Sequence, residues 1–599
     1  MESFLVPFRR MKWGFLPQRR IVDEGENDGD LDLSASTTSG GGVDDKGNEI
    51  TNSKSKTNVD NHSCESSANL LDTTVYEYRD EANRPFWKFF DEHEYRSNNQ
   101  VRTKKKWYHW FHDADTPEER RLILKLDLLL TFYSLMAYWV KYLDQTNLTN
   151  AYIGGLKEAI GMKGNDFVNT QVMFNVGNII FQIPFIYILY ACPMNYVLPS
   201  LDITWSILTI LLSQVKNVAQ LKALRFLIGA AEAPAYLAYH FLFASWYKSS
   251  TSEIARRAGF YYLGQYLGVL TSGLLSGAIQ RSFPTDGWKW IFIIDGIISI
   301  VVGIIGFYMI PGTPTDCYSP FLSDDDIRLA RKRMKDDGKD TRDKSVSPIK
   351  EFMDINLWKS IFSTWHIYVM CIWTMLCWNN SNAASGAYAL WLKSLKNDYG
   401  EQRFSQGTLQ DLTALTPGLG LVWLVMTSLF ADNLSSRWGA ILFSQVFNVT
   451  GNILLAVWHI PERAKWFAFC LQYWGWAMAP VLYSWHGDIM RRRLKNLTVS
   501  LITMNIMAQS SVAWISVLVW KTVEAPRFLK GYSFTASSGF ALTIWTMLVL
   551  YLYKREERMY AKENGIILYN SKNDPDFVPP TSESTIKDKI TIDDEISIK

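Results

Sequence analysis

WKWIFIIDGIISIVVGIIGFYMI (residues 288–310) runs directly into PGTPTDCYSPFLSDDDIRLARKRMKDDGKD (311–340), and this junction decides the fold. The first stretch has the length that about 30 Å of hydrocarbon demands at roughly 1.5 Å per helical residue. The second carries Pro and Gly, which break helices, and then alternating charges that predict a short soluble helix. Towards the N-terminus, apolar runs of similar length recur near 123–142, 168–190, 195–215, 219–247 and 258–280. Towards the C-terminus they recur near 361–391, 409–430, 437–458, 464–486, 498–520 and 533–553. The expected fold is therefore an all-α membrane protein of about twelve transmembrane helices in two six-helix halves. Its expected parts are a cytosolic N-terminal region (1–121), the first half (122–311), a cytosolic middle loop (312–358), the second half (359–553) and a cytosolic tail (554–599). Two such halves fit a plan with a solute site near mid-membrane between them.

The flanking sequence supports this reading. The chain holds 24 Trp, 32 Phe and 29 Tyr, more than soluble cores usually carry. Its mean hydropathy is near zero only because polar ends are averaged with an apolar middle. A net charge of +2 offers no support for a nucleic-acid partner. Residues 21–72, rich in Ser, Asp, Gly and Asn, are expected to be disordered. YEYRDEANRPFWKFFDEHEYR (76–96) and KKKWYHWFH (104–112) mix charge with aromatics, which suits either docking on the cytosolic face, a place among lipid headgroups or a partly ordered linker. The six cysteines lie far apart, without a Cys-x-x-Cys pair or a His at ligand spacing, so neither a disulfide framework nor a metal site is implied. No continuous apolar segment follows the basic residues of the first twenty positions, and no signal peptide is expected.

Orientation follows from the long segments. Short loops alone put more Lys and Arg outside than inside, against the positive-inside rule. Lys104–Lys106 with Arg120 and Arg121, Arg328 with Arg331–Arg333, Arg491–Arg493 with Lys495, and Lys554, Arg555 and Arg558 all fall on one side of an even number of spans. Both termini are expected in the cytosol.

An ionisable group inside a span costs about 2.5 to 3.5 kcal/mol on insertion scales, so each is a functional candidate. In LKALRFLIGAAEAPAYLAYHFLFASWY (221–247), Arg225 and Glu232 are seven apart, which places them on one helix face about 10 Å apart along the axis. A cation and an acid on one wall can hold an anion and a proton; equally, a buried ion pair can lock two helices together. Asp144 in KYLDQTNLTNAY (141–152) is a second acid, read either as a proton carrier or as a solvated residue paired with Lys141.

Span two carries Gln171, Asn175, Asn178 and Gln182 at steps of four, three and four, an amide stripe that lines a solute path or joins helices. Gln445, Asn448 and Asn452 form a similar stripe in span nine, and Asn505 lies with Gln509 in span eleven. Gln265 and Asn379 stand among Tyr261, Tyr262, Tyr266, Trp373, Trp378, Trp474, Trp476 and Tyr483, which admit an apolar or sulfur-bearing moiety. His240 and His486 read either as proton relays or, more commonly for a lone His near a helix end, as structural or pore-lining, and Asp295 as a helix-packing residue. With no Walker loop and no catalytic or metal motif, an enzyme is not expected, nor is a cofactor. Secondary transport is the class that remains. Its expected partners are a small-molecule solute, protons and the lipid bilayer.

DQTNLTNAYIGGLKEAIGMKGNDF (144–167), LRFLIGAAEAP (224–234), WYKSSTSEIARRAGFYYLGQ (246–265), GWKWIFIIDG (287–296) and FLSDDDIRLARKRM (321–334) together resemble the fungal allantoate permease family, in the anion:cation symporter branch of the major facilitators. The likeness covers roughly residues 76–570 and rests on the order and spacing of the whole set. It implies proton-coupled uptake of a small organic anion or zwitterion at the plasma membrane: a ureide, a carboxylate or a sulfur-containing amino-acid derivative. It also implies that Asp144 and Glu232 carry protons and that Arg225 engages charge near the solute. The sequence departs from the pattern at Gln145, where many relatives have Arg, so one handle for a carboxylate is missing. LYACPMNYVLP (189–199) replaces the usual gating loop, while FADNLSSRWG (430–439) keeps a fragment of its counterpart, with Asp432 and Arg437 as gating candidates. Export conferring resistance, or solute sensing without transport, would use the same architecture.

Overall fold

The computed structural model describes residues 16–20, 22, 76–96, 111, 115–248, 253–337, 355–434, 436–492 and 494–573. Nearly all of the stretch expected to be disordered (21–72), residues 104–110 and the tail beyond 573 lie outside the described residues.

Among the described residues, twelve helical spans make up most of the larger of two compact units. Those of the first half are Pro117–Ala159, Asp166–Ala191, Met194–Leu212, Val218–Trp246, Glu253–Ser282 and Gly287–Met309. In the second half, span seven is split into Trp365–Asn379 and Ala387–Ser394, and span ten into Glu462–Cys470, Trp474–Ala477 and Ala479–Ile489. Spans eight, nine, eleven and twelve are Gln406–Asn433, Arg437–Val457, Leu494–Val519 and Leu529–Met559. Among the described residues, eight helices are long and apolar enough to cross a membrane; spans two and five and the interrupted spans seven and ten complete the set.

The two halves repeat one packing scheme. Span one packs on five and six, three on six, and two on four; correspondingly seven packs on eleven and twelve, nine on twelve, and eight on ten. The halves meet where span two lies on eleven and five on eight. Small residues set the closest approaches, as van der Waals packing in lipid favours. A Cβ at Gly264 or Gly268 of span five would stand 2.6 Å from the carbonyl oxygen of Leu135 or Trp139 of span one. At the end remote from the middle loop the halves are joined by Arg281–Asp411 (2.5 Å) and by Gln410 Nε2 donating to the Asn150 carbonyl (2.7 Å).

Span one departs from the expected 123–142. It continues to Ala159 through π-type turns at Asp127–Phe132 and Tyr152–Leu156, so Asp144 sits well inside the helix instead of near its end. The first of these wider turns carries Asp127, which Arg257 of span five holds through two bonds of 2.9 and 3.0 Å. In the middle loop, Asp324–Asp336 forms the helix that its charge pattern predicts, opened by a reciprocal Ser323–Asp326 capping box.

The smaller unit adds what an all-helical reading omits. Strand β1 (Glu77–Asp80) pairs in parallel with β2 (Ile566–Tyr569), and Tyr95, Ala561 and Ile566 are buried together beside them. Asp80 accepts from Ser571, bonds that hold its carboxyl below the usual carboxylate range.

Candidate functional site

Span four breaks at Ala233–Pro234, because Pro lacks the N–H that would continue the ladder, and Glu232 ends its first segment. One wall of span one meets this break. Asp144 Oδ2 accepts from Arg225 Nη1 at 3.2 Å, and its Oδ1 accepts from Thr209 of span three at 3.0 Å. The Arg225 guanidinium also lies 5.1 Å from the centre of the Phe174 ring. One helical turn earlier, Lys141 Nζ stands 3.5 Å from Glu232 Oε2 and donates to the Glu232 carbonyl at 3.3 Å. Gln145 Nε2 donates to Glu232 Oε2 at 3.2 Å.

The structure thus brings Asp144, Glu232 and Arg225 together. Arg225 bonds Asp144, an ion pair between spans four and one, and Lys141 bonds Glu232 instead of Asp144. Asp144 is fully buried, so its reading as a solvated residue does not hold. Asp295 of span six, read as packing only, faces Asp144 and Asn147, with its carboxylate oxygens outside hydrogen-bonding geometry. Helical spacing within span six gives no sign of this neighbour, since the contact depends on how three helices cross.

Beside the pairs lies a small, partly open cavity, lined among others by Tyr138, Lys141, Asp202, Glu232, Tyr239 and Tyr261, with room for about one water. Four carboxyls (Asp144, Asp202, Glu232 and Asp295) share this region with two cations, Lys141 and Arg225. Surplus negative charge away from water is costly, so the cluster is chemically suited to taking up a proton. Aromatic rings extend from it towards the second half. Tyr138 stacks on Tyr261 (4.0 Å), the Tyr236 and Tyr262 hydroxyls meet at 2.8 Å, and Tyr262 lies parallel to Tyr483 of span ten. His240 joins this group through its bond to the Tyr236 carbonyl.

The amide candidates divide. Gln445 Oε1 accepts from Asn380 and Asn448, Asn448 Nδ2 donates to the Asn380 carbonyl, and Asn452 Oδ1 accepts from Asn382. These bonds close the break in span seven. Asn379 likewise ties span seven to Ser511 of span eleven at 2.7 Å. In span two, by contrast, Gln182 is buried with neither amide atom bonded, Asn178 Oδ1 is unbonded, and Gln171 and Asn175 are half-buried. Asn505 of span eleven is buried with both amide atoms unbonded, and Gln265 is buried on span five. Arg437 turns to Asp488 (3.0 Å) and Glu92 (3.6 Å), acids other than the expected partner Asp432.

Residues 134–517 match the family model described as Major Facilitator Superfamily. The chain belongs to this superfamily. A vitamin H transporter of Saccharomyces cerevisiae is 39% identical over 528 residues, covering 86% of this chain and 87% of its own length. A pantothenate transporter of Schizosaccharomyces pombe is 28% identical over 448 residues, covering 74% and 84%. Among solved major facilitators, the proton:xylose symporter XylE bound to 6-bromo-6-deoxy-D-glucose superposes with a TM-score of 0.54 at 12% identity, over 71% of this chain and 95% of that one, a likeness of fold. The protein is a multi-pass membrane protein and a secondary transporter of the major facilitator type, not an enzyme.

Proposed function

We propose that this major facilitator is a proton-coupled importer of a small organic solute carrying a carboxylate, in the allantoate permease branch of the anion:cation symporters. The observation that carries the reading is the pairing of two buried acids with a buried and a partly buried cation, Asp144 with Arg225 and Glu232 with Lys141, beside a tyrosine-lined cavity. Inward movement is assigned from the family resemblance, with both termini cytosolic and the plasma membrane as the site. An acid tied to a cation is a coupling device: a solute anion competes for the cation, and the released acid becomes free to hold a proton. The relatives named for vitamin H and pantothenate direct attention to carboxylate-bearing vitamins, alongside ureides and sulfur-containing amino-acid derivatives.

Solute and proton bind while the site faces outward, the halves rock about it, and both are released inside. The unbonded amides of spans two and eleven, Gln182 and Asn505, and the half-buried Gln171 and Asn175 supply polar groups for the path.

The test is an uptake panel in cells lacking their own permeases, comparing biotin, pantothenate, allantoate and amino-acid sulfoxides with and without an inward proton gradient. Accumulation of at least one carboxylate that collapses with a protonophore is expected. Uptake insensitive to the protonophore for every solute of the panel would sink the reading.

A further inference from the structure

We infer that the solute's carboxylate is received at Lys141, that Glu232 is the acid it displaces and that the freed Glu232 takes up the co-transported proton, and that the Arg225–Asp144 pair holds helices together without touching the solute. This deepens the proton-coupled reading above and rests on it.

Access separates the two cations. The Lys141 side chain is 12% exposed and lines the cavity, whereas that of Arg225 is 3% exposed, is enclosed by Asp144 and the Phe174 ring, and lies outside the lining. Grip separates them too. Asp144 is bonded by its cation Arg225 at 3.2 Å and by Thr209 at 3.0 Å, while Glu232 is bonded by the neutral Gln145 at 3.2 Å and its cation Lys141 stands farther off, at 3.5 Å. The looser pair is the exchangeable one. Glu232 Oε1 and the Tyr261 hydroxyl are buried without a hydrogen-bond partner, and both residues line this same cavity. Unbonded buried polar groups are uncommon, and here they adjoin the reachable ammonium. A carboxylate bonded to Lys141 could also accept from Tyr261, with the tyrosine faces left for the solute's apolar body. Lys141 thereby supplies the cationic handle that Gln145 omits.

Glu232 faces Lys141, Tyr142 and Asp144 of span one, Asp202 of span three, Arg225 of its own span, Tyr261 of span five and Asp295 of span six. The exchange leaves the other members unchanged. One carboxylate arrives at Lys141, one proton is taken by Glu232, and the net charge of the cluster is preserved. Each carboxylate therefore travels with one proton, and transport is electroneutral.

The test uses the full chain in proteoliposomes with the carboxylate that the panel selects and its carboxamide. Lys141→Gln should raise KM for the carboxylate about tenfold or more while changing that for the carboxamide less than about twofold. Lys141→Arg should restore most of the carboxylate preference. In wild-type protein, an imposed potassium diffusion potential should leave proton-driven carboxylate uptake unchanged. Proton-driven uptake by Lys141→Gln with unaltered carboxylate KM would overturn the assignment while leaving proton coupling intact, and so would a rate that follows the imposed potential in the wild type. Wild-type uptake indifferent to the proton gradient would instead remove the underlying reading. If Lys141→Gln does not fold, the Lys141→Arg variant and the wild-type potential experiment decide the assignment.

Discussion

The two halves share one packing scheme and fill its polar positions in opposite ways. The first half buries charges, with Asp144, Glu232 and Asp295 set against Lys141 and Arg225. The second buries amides, and Gln445, Asn448 and Asn452 use their bonds on the break at Asn380–Asn382. An amide carries donor and acceptor together, so such a network closes on itself without changing charge. Carboxyls and ammonium groups do not: each stays satisfied only while its partner and its proton remain. Proton responsiveness is accordingly expected from the first half, and a fixed scaffold around a discontinuous helix from the second.

The sharpest way to break this contrast is to strand a charge. Arg225→Ala leaves Asp144 buried without its cation, and losing one partner of such a pair costs about 3 to 5 kcal/mol. Loss of monodisperse protein in detergent, or a large fall in thermal midpoint, is expected. Combining Asp144→Asn with Arg225→Met removes both charges and should recover most of that stability. A double variant as unstable as the single one would show that the pair is not the relevant unit.

Glu232→Gln is the next step down. The amide is similar in shape and can keep a bond to Lys141, so folding should change by less than about 1 kcal/mol, while uptake loses its dependence on external pH. Initial rates measured from acidic to neutral pH with the panel carboxylate check this. Undiminished, gradient-dependent accumulation by the variant would take Glu232 out of the mechanism.

The second half supplies the counter-test. Asn448→Ala removes donors to the Asn380 carbonyl and to Gln445, at a cost of about 1 to 3 kcal/mol for the buried groups left unbonded. Thermal stability should fall while the pH profile of uptake keeps its midpoint. A shifted midpoint would mean that the amide network also takes part in coupling.

These pairs and networks show where sequence reading ends. Span length and hydrophobicity act locally along the chain, so the helical architecture was legible, and so were the residue types of the site, because charge and amides in lipid-spanning helices are costly enough to stand out. Partner choice was not. Seven residues of helical spacing align Arg225 with Glu232, yet Asp144 arrives at Arg225 from another span, and Lys141 of that same span takes Glu232. Asp295 gained its acidic neighbour in the same way. The breaks at Asn380–Gly386 and Ala233–Pro234 differ instructively: the proline announces the second, whereas the first depends on amides of span nine, two spans further along the chain.

The smallest expected effect lies outside both cores and asks whether charge pairs matter where water is near. In the middle loop, burial alone would raise the Asp326 carboxyl, but hydrogen bonds from Lys125 and from Ser323 outweigh it and hold the group below its ordinary value. A depressed folded-state value means a contribution that is present above the unfolded value of about 4 and lost as pH falls through the folded one. Asp326→Asn keeps an oxygen for the capping box but gives up the charge facing Lys125, so the loss should be no more than about 1 kcal/mol, the scale of a helix cap. Amide exchange across residues 324–336, corrected for intrinsic rates, should be faster in the variant near neutral pH and should converge with the wild type in acid. Equal protection at neutral pH would show that this partly exposed pair adds nothing to the helix.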